Sequence, residues 1–159
     1  MKLKTNVKYI VQAGIIAAIY AVLTIILAPI SYGPMQVRVS EALTILPVFT
    51  SASIPGLFVG CVIANVFGGN GVIDVVFGSL ATVVAAFITY KLRNKPLLAP
   101  LAPVVLNGGV VGSVLYFAYG VPMSLFACMG WVAIGELIAC YAIGYPLMKL
   151  LGKYEAFLK

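Results

Sequence analysis

Long apolar runs constrain this sequence more than any other feature. One extends from Tyr9 to Ile30 with Gln12 as its interruption, and two more cover Val72 to Tyr90 and Pro100 to Tyr119. A helix needs about 20 apolar residues to cross the hydrocarbon core of a bilayer. Of the 159 residues, 63% are hydrophobic and only 9% are charged, whereas about a quarter of the residues in a soluble domain are charged. The sequence therefore predicts an all-α membrane protein.

The basic residues indicate how many times the chain crosses the membrane. Nine of the ten lie in three clusters, and Arg38 stands alone. The clusters are Lys2, Lys4 and Lys8; Lys91, Arg93 and Lys95; and Lys149, Lys153 and Lys159. Cytoplasmic loops are enriched in Lys and Arg. The three clusters share one face only if residues 41–67 cross twice, which predicts a multi-pass protein of the cell membrane with both termini cytoplasmic.

These crossings predict a bundle of six transmembrane helices in a single domain, 1–159. The spans are expected at approximately 9–30, 41–53, 54–67, 72–90, 100–119 and 123–148. The second and third are short because Pro47 and Pro55 interrupt their stretch. Both are expected to be packed inside the bundle or partly unwound.

Several classes of chemistry are excluded by residues that the sequence lacks. There is no histidine, and the three cysteines, Cys61, Cys128 and Cys140, lie far apart in apolar runs. Catalysis by a histidine-dependent triad and imidazole metal sites are therefore absent. No P-loop pattern occurs, so the chain has no such site for hydrolysing a nucleotide. We expect neither an enzyme nor a bound metal or cofactor.

Acidic residues inside the spans are the first candidates for a functional site, because ionisable groups are costly there. Glu41, Asp74 and Glu136 lie in or at the edge of spans, whereas Glu155 belongs to the tail. With a rise of about 1.5 Å per residue, Asn107 and Glu136 lie about 18 Å and about 20 Å below the outer ends of their adjacent helices. The sequence predicts a deep Asn–Glu pair beneath an outer ring formed by Arg38, Glu41, Asn65 and Asp74.

A purely structural role is the alternative for the outer ring. Arg38 could clamp a loop by pairing with Glu41 or Asp74, and Asp74 could cap its helix. Glu136 differs because no basic residue is expected at its depth. A buried carboxylate without a nearby basic residue needs another partner, a proton or a ligand.

Aromatic and small residues add two further candidate sets. Aromatic side chains gather near the predicted outer face, and Trp131 and Tyr116 are the candidates for stacking a planar ligand because each shares a helix with a deep polar group. Ala13, Ala17 and Ala21 recur at four-residue spacing in the first helix. Such stripes allow close helix packing, either inside the protein or against another one.

Four segments resemble the QueT family, the substrate-binding S components of energy-coupling factor (ECF) transporters. The similarity runs from about Tyr9 to Leu150, and its most specific block is RVSEALT, which begins at Arg38. The segments are YGPMQVRVSEALTILPVF (32–49), DVVFGSLAT (74–82), LAPLAPVVLNG (98–108) and GELIACYAIGYPL (135–147).

The resemblance implies a six-helix S component that takes up a queuosine precursor, a 7-deazaguanine in its 7-cyano or 7-aminomethyl form. It also implies partners: a transmembrane coupling protein and two ATP-binding-cassette ATPases. S components of this kind dock through an AxxxA stripe on the first helix, which corresponds here to Ala13, Ala17 and Ala21.

The residues are compatible with such a ligand. A guanine-like edge offers two adjacent N–H donors, and one carboxylate can accept both. We assign this role to Glu136, with Asn107 completing the polar edge, and Asp74 or Glu41 could pair with an aminomethyl cation. Two alternatives remain: an S component for another small planar, vitamin-like ligand, and a proton-coupled transporter that works alone.

Overall fold

The computed structural model describes residues 3–32, 36–69 and 71–153, with side chains from residue 7 onward. Helices follow one another throughout these ranges. The α-helices are α1 (Leu3–Ile26), α2 (Ala28–Ser31), α3 (Ser53–Gly68), α4 (Val72–Lys91), α5 (Leu101–Phe117), α6 (Leu125–Leu137) and α7 (Tyr145–Gly152). A 3₁₀ helix covers Val39–Val48, and a π-helical segment, Ile138–Gly144, joins α6 to α7.

Three of these stretches are long and apolar enough to cross a membrane, namely Val7–Ile26, Val72–Lys91 and Leu125–Gly152. The 3₁₀ helix, α3 and α5 are apolar but shorter. The predicted all-helical class is therefore confirmed for the described residues, whereas the six crossings and the orientation stay predictions. Following that predicted orientation, we call the end that holds the α3–α4 and α5–α6 connections the outer end.

The second predicted span differs most from the structure. Residues 41–53 were expected to form it, but the helix covers Val39–Val48 and is wound as a 3₁₀ helix with Pro47 inside it. The Thr44 hydroxyl donates a 2.5 Å hydrogen bond to the Glu41 carbonyl within this helix. The third span begins at Ser53, so Pro55 falls in the first turn of α3, where its missing N–H breaks no helical hydrogen bond.

Close contact between α1 and α3 depends on two glycines. A Cβ atom added to Gly56 would lie 2.7 Å from the Ala13 carbonyl oxygen, and one added to Gly60 would lie 2.8 Å from that of Ala17. Any larger residue would push the two backbones apart. The four-residue spacing of small residues thus provides a packing seam inside the chain.

A second seam of the same kind joins α5 to α6. A Cβ atom added to Gly112 would lie 2.5 Å from the Met129 Cα atom, and one added to Gly108 would lie 3.0 Å from the Ala133 Cβ atom. The two seams hold α1 against α3 and α5 against α6. This packing keeps the polar side chains of the four helices together inside the bundle.

The apolar core lies where α1, α3, α7 and the 3₁₀ helix meet, with Tyr20, Ile45 and Leu57 fully buried. Many large aliphatic side chains point outward instead; Val72, for example, is 78% exposed. Apolar surface of this extent fits contact with lipid.

Candidate functional site

Charged side chains are buried in the interior of the bundle. Arg38, Glu41, Asp74 and Glu136 are each no more than 3% exposed. Taking an ion out of water costs several kcal/mol unless it is paired or neutralised. Groups buried at this cost mark the interior as the candidate site.

The deepest pair is the one predicted from helix geometry. The Asn107 amide nitrogen of α5 donates a 2.9 Å hydrogen bond to Glu136 Oε1 of α6. Cys140 lies one turn further along, and its Sγ donates to Glu136 Oε2 at 3.6 Å. The prediction that Asn107 and Glu136 lie at one level of adjacent helices is confirmed.

Glu41 lies deeper than the predicted outer ring. The Cys140 Sγ that contacts Glu136 also lies 3.6 Å from the Glu41 carbonyl oxygen. The hydroxyl of Tyr20, on α1, donates a hydrogen bond to Glu41 Oε1. A 3₁₀ helix rises about 2.0 Å per residue, so three residues carry Glu41 about 6 Å below Arg38. We call Tyr20, Glu41, Asn107, Glu136 and Cys140 the deep polar cluster.

Arg38 and Asp74 form an ion pair nearer the outer end. Arg38 Nη2 lies 3.4 Å from Asp74 Oδ2, and Arg38 Nε donates to the Ser31 carbonyl at 3.3 Å. The Asn65 amide nitrogen donates to the Asp74 carbonyl at 3.2 Å. Of the two pairings that the sequence left open for Arg38, the structure contains the one with Asp74. It also places Asn65 beside this pair, as predicted.

Two acceptor atoms of the deep polar cluster are buried without a hydrogen-bond partner in the structure. They are Glu41 Oε2 and Asn107 Oδ1. An unsatisfied buried acceptor costs about 1–3 kcal/mol. Asn107 bonds to Glu136 through its amide nitrogen, and a ligand with several N–H donors would satisfy both acceptors.

An open pocket of about 330 Å³ lies at the outer end. It is lined by Tyr32, Gln36, Gly69, Leu115 and Tyr119. The Tyr32 hydroxyl donates to the Ala64 carbonyl at 2.5 Å, and the Arg38 guanidinium lies 5.5 Å from the centre of the Tyr32 ring. The outer pocket therefore adjoins the Arg38–Asp74 pair.

A neutral phenol, that of Tyr119, is part of the lining of the outer pocket. A phenol has an ordinary pKa of about 10. Tyr119 is therefore uncharged at neutral pH and can donate a hydrogen bond or present its ring.

The structure does not bring the two predicted stacking residues to the site. Neither Tyr116 nor Trp131 lines the outer pocket. Tyr116 packs edge-on against Phe117, with the ring centres 4.9 Å apart. Tyr32 and Tyr119 are the aromatic residues that line the outer pocket instead.

Tyr20, Gln36 and Cys140 are site residues that the sequence reasoning missed. Cys140 follows Glu136 by four residues, which places both on one face of a helix. Tyr20 and Thr24 are polar positions four residues apart on α1, and this spacing was the available signal. Gln36 gave none, because its burial depends on a backbone with φ of +44° in the connecting segment.

The alanine stripe of α1 has two environments. Ala17 and Ala21 are each 5% exposed, so they are covered within the chain. Ala13, Gly14 and Ala17 line a surface groove of about 300 Å³ between α1 and α3, together with Pro55 and Val59. Ala17 thus lies at the edge of this groove and Ala21 does not line it, and docking through this stripe stays a prediction. In the described residues, no group of three His, Cys, Asp or Glu residues could hold a metal ion.

Comparison with known proteins identifies the family. The sequence model of the QueT transporter family matches residues 10–153. The Queuosine precursor transporter QueT of Lactococcus lactis subsp. cremoris (strain MG1363) is 30% identical over 167 aligned positions, which cover 94% of this chain and 95% of that protein. No solved structure matches the chain.

These matches agree with the apolar helices and with the resemblance seen in the sequence. They favour transport over catalysis and fit a multi-pass membrane protein that handles a small molecule. The chain belongs to the QueT transporter family.

Proposed function

We propose that this chain is the substrate-binding S component of an ECF-type ABC importer. In this role it captures a queuosine precursor, a 7-deazaguanine, at the outer face of the cell membrane. The relative in Lactococcus lactis carries the name of a queuosine precursor transporter, which supports this substrate class. The observation that carries the proposal is the pair of unpartnered acceptors, Glu41 Oε2 and Asn107 Oδ1, in the deep polar cluster with Glu136.

The hydrogen-bonding pattern of the deep polar cluster fits a guanine-like edge. Such an edge has a ring N–H and an exocyclic amine side by side, and a carboxylate can accept from both. Glu136 Oε1 already accepts from Asn107, and each carboxylate oxygen has a second lone pair for the ligand. The free Asn107 Oδ1 provides a further acceptor at the same level.

The outer pocket supports an entry route for a planar ring. Tyr32 and Tyr119 line it and offer ring faces for stacking. Both line this pocket, whereas Tyr116 and Trp131 do not. We therefore assign ligand stacking to Tyr32 and Tyr119.

The charge of the interior favours the aminomethyl form of the ligand over the cyano form. Arg38 pairs with Asp74, and neither Glu41 nor Glu136 forms a salt bridge with a described basic residue. The site thus contains more carboxyl groups than cations in a medium of low dielectric constant. A ligand with one positive charge would favour the ionised form of one of these carboxyl groups and pair with it, whereas a neutral nitrile would not.

The energy for uptake would come from partners, a coupling protein and two ABC ATPases. A ligand cannot drive its own accumulation without an external source of free energy. The groove lined by Ala13, Gly14 and Pro55 on α1 and α3 is the proposed docking surface for the coupling protein. Its small residues would allow another helix to approach closely.

Binding of 7-aminomethyl-7-deazaguanine to the purified chain tests the substrate. We expect measurable affinity by isothermal titration calorimetry, weaker affinity for the 7-cyano form, and at least a tenfold loss in Glu136→Gln. Ser113→Ala is a matched control in α5, because the Ser113 hydroxyl bonds within its own helix to Gly109. Unchanged affinity in Glu136→Gln would remove Glu136 from the site.

Reconstitution separates coupled uptake from the alternative of a transporter that works alone. Liposomes that contain this chain with its coupling protein and ATPases should accumulate the ligand only with ATP. Uptake by the chain alone, driven by a proton gradient, would contradict the S-component assignment.

Substitution at Gly14 tests the docking surface. Gly14 has no neighbour within 4 Å of an added Cβ atom, so Gly14→Trp should fold, bind ligand and fail to co-purify with the coupling protein. Gly130→Trp is the control, because Gly130 on α6 is equally unobstructed. Normal co-purification of Gly14→Trp would place the docking surface elsewhere.

A further inference from the structure

The pair α4 and α5 carries a surface groove near its inner end, away from the proposed substrate site. The groove has a volume of about 320 Å³, and its lining includes Ile88 of α4, Leu92 just after α4, Leu98, and Leu101 and Val105 of α5. All of its lining residues are apolar, and Val105 is 62% exposed. We call this the inner groove.

A rim of positive charge borders the inner groove. Lys91 and Arg93 flank Leu92, and Lys95 precedes the leucines that begin the opposite wall. All three basic side chains are exposed. Two of them lie over aromatic rings: Lys91 Nζ is 5.3 Å from the centre of Phe87, and Arg93 Cζ is 4.8 Å from that of Tyr90. These contacts hold both cations beside the end of α4, within one turn of Ile88 and Leu92 in the groove lining.

The depth of the groove matches an amphipathic molecule. Ile88 lies three residues before Lys91, or about 4.5 Å along the helix, and Val105 lies about 6 Å beyond Leu101. An apolar channel thus extends about one turn or more from a cationic end. A lipid could place its anionic headgroup at the basic rim and its acyl chain in the apolar channel.

A second groove on the same helix pair provides the comparison. It lies near the outer end, has a volume of about 270 Å³, and includes Ile73, Phe77, Val110 and Phe117 in its lining. Its lining contains no basic residue. Both grooves offer apolar surface to lipid chains, but only the inner one combines this surface with positive charge.

We propose that the inner groove is a binding site for an anionic phospholipid. One acyl chain lies between α4 and α5 against Ile88 and Val105, and the phosphate lies near Lys91 and Arg93. Basic side chains at the membrane surface attract anionic headgroups. The apolar lining argues for a lipid over free phosphate, which would use only the rim. This site is independent of the substrate and the partners proposed above.

Native mass spectrometry of the full chain in detergent tests the site with two probes, phosphatidylglycerol and phosphatidylcholine with the same acyl chains. The wild type should retain phosphatidylglycerol preferentially. The triple variant K91Q/R93Q/K95Q should lose about tenfold in this preference, because each cation contributes to headgroup attraction. The variant K8Q/K149Q/K153Q removes the same number of charges elsewhere and should keep the preference for phosphatidylglycerol.

Filling the groove tests the acyl-chain position separately. Val105→Trp, at an exposed position, should weaken phosphatidylglycerol binding with all bases intact, whereas Ile73→Trp in the outer groove should not. Equal retention of the two lipids by the wild type would overturn the proposal. An equal loss of phosphatidylglycerol preference in the two triple variants would also overturn it. So would unaltered phosphatidylglycerol binding in Val105→Trp, combined with displacement of the lipid by inorganic phosphate.

Discussion

Arg38 Nη2 lies 3.4 Å from Asp74 Oδ2, and both side chains are almost completely buried. The pair ties the segment before the 3₁₀ helix to the first turn of α4. It neutralises one of the three buried acids and leaves Glu41 and Glu136 to the deep polar cluster. The Arg38–Asp74 contact therefore keeps one acid paired near the outer end and leaves two acids in the deep polar cluster.

Breaking this pair from one side should destabilise the protein. Asp74→Asn leaves the Arg38 guanidinium buried without its carboxylate, a change that costs about 3–5 kcal/mol in comparable pairs. We expect a lower midpoint of thermal unfolding in detergent. The double variant Arg38→Met with Asp74→Leu should recover part of the loss, because it removes both charges. A midpoint for Asp74→Asn equal to that of the wild type would contradict this account.

Replacing Gly112 with alanine should separate α5 from α6. The added methyl group would meet the Met129 backbone at 2.5 Å, and overpacking of this kind costs about 1–3 kcal/mol. Gly109→Ala is the matched control, because nothing lies within 4 Å of its added Cβ atom. Thermal unfolding should show a lower midpoint only for Gly112→Ala. Equal midpoints would mean that the seam tolerates a methyl group.

Much of the fold and the deep pair could be predicted because helical rise is regular. A rise of about 1.5 Å per residue and the short connection after Tyr119 were enough to place Asn107 opposite Glu136. The same reasoning failed for Glu41, because nothing in the local sequence distinguished a 3₁₀ helix from an α-helix.

The rotation of each helix about its axis could not be predicted in this way. In a soluble helix the polar face marks the outside. Here the lipid-facing side is as apolar as the core-facing side, so the sequence predicts the depth of Trp131 and Tyr116 without the direction in which their side chains point. For the same reason, the inward orientation of Tyr20 became apparent only from its contact with Glu41.

Removing the Tyr20 hydroxyl should affect both stability and ligand binding. Tyr20→Phe keeps the ring in the core but takes the donor from Glu41 Oε1. A hydrogen bond of this kind contributes about 0.5–1.5 kcal/mol. We expect a lower unfolding midpoint and a several-fold loss of ligand affinity, measured by calorimetry. Tyr9→Phe is the control, because the Tyr9 hydroxyl bonds to the Ser51 carbonyl at an exposed site. An affinity loss of the same size in both variants would show that Tyr20 has no specific role.

Neutralising Glu41 should change ligand selectivity more than affinity for the guanine-like edge. Glu41→Gln keeps the shape of the side chain and removes one of the two carboxyl groups that form no salt bridge with a described basic residue. We expect the preference for the 7-aminomethyl form over the 7-cyano form to fall by about tenfold, or about 1.4 kcal/mol. Competition calorimetry with the two ligands measures this ratio. An unchanged ratio would assign recognition of the cation to another group.

The winding of residues Val39–Val48 has a mechanical consequence. Ten residues extend about 20 Å as a 3₁₀ helix but about 15 Å as an α-helix, so this segment is stretched by about 5 Å. Glu41 lies near one end and Pro47 near the other. Winding these residues as an α-helix would therefore move the Glu41 carboxylate along the helix axis if the proline end stayed in place. Helix pitch, and not only side-chain rotation, thus sets the position of this carboxylate in the deep polar cluster.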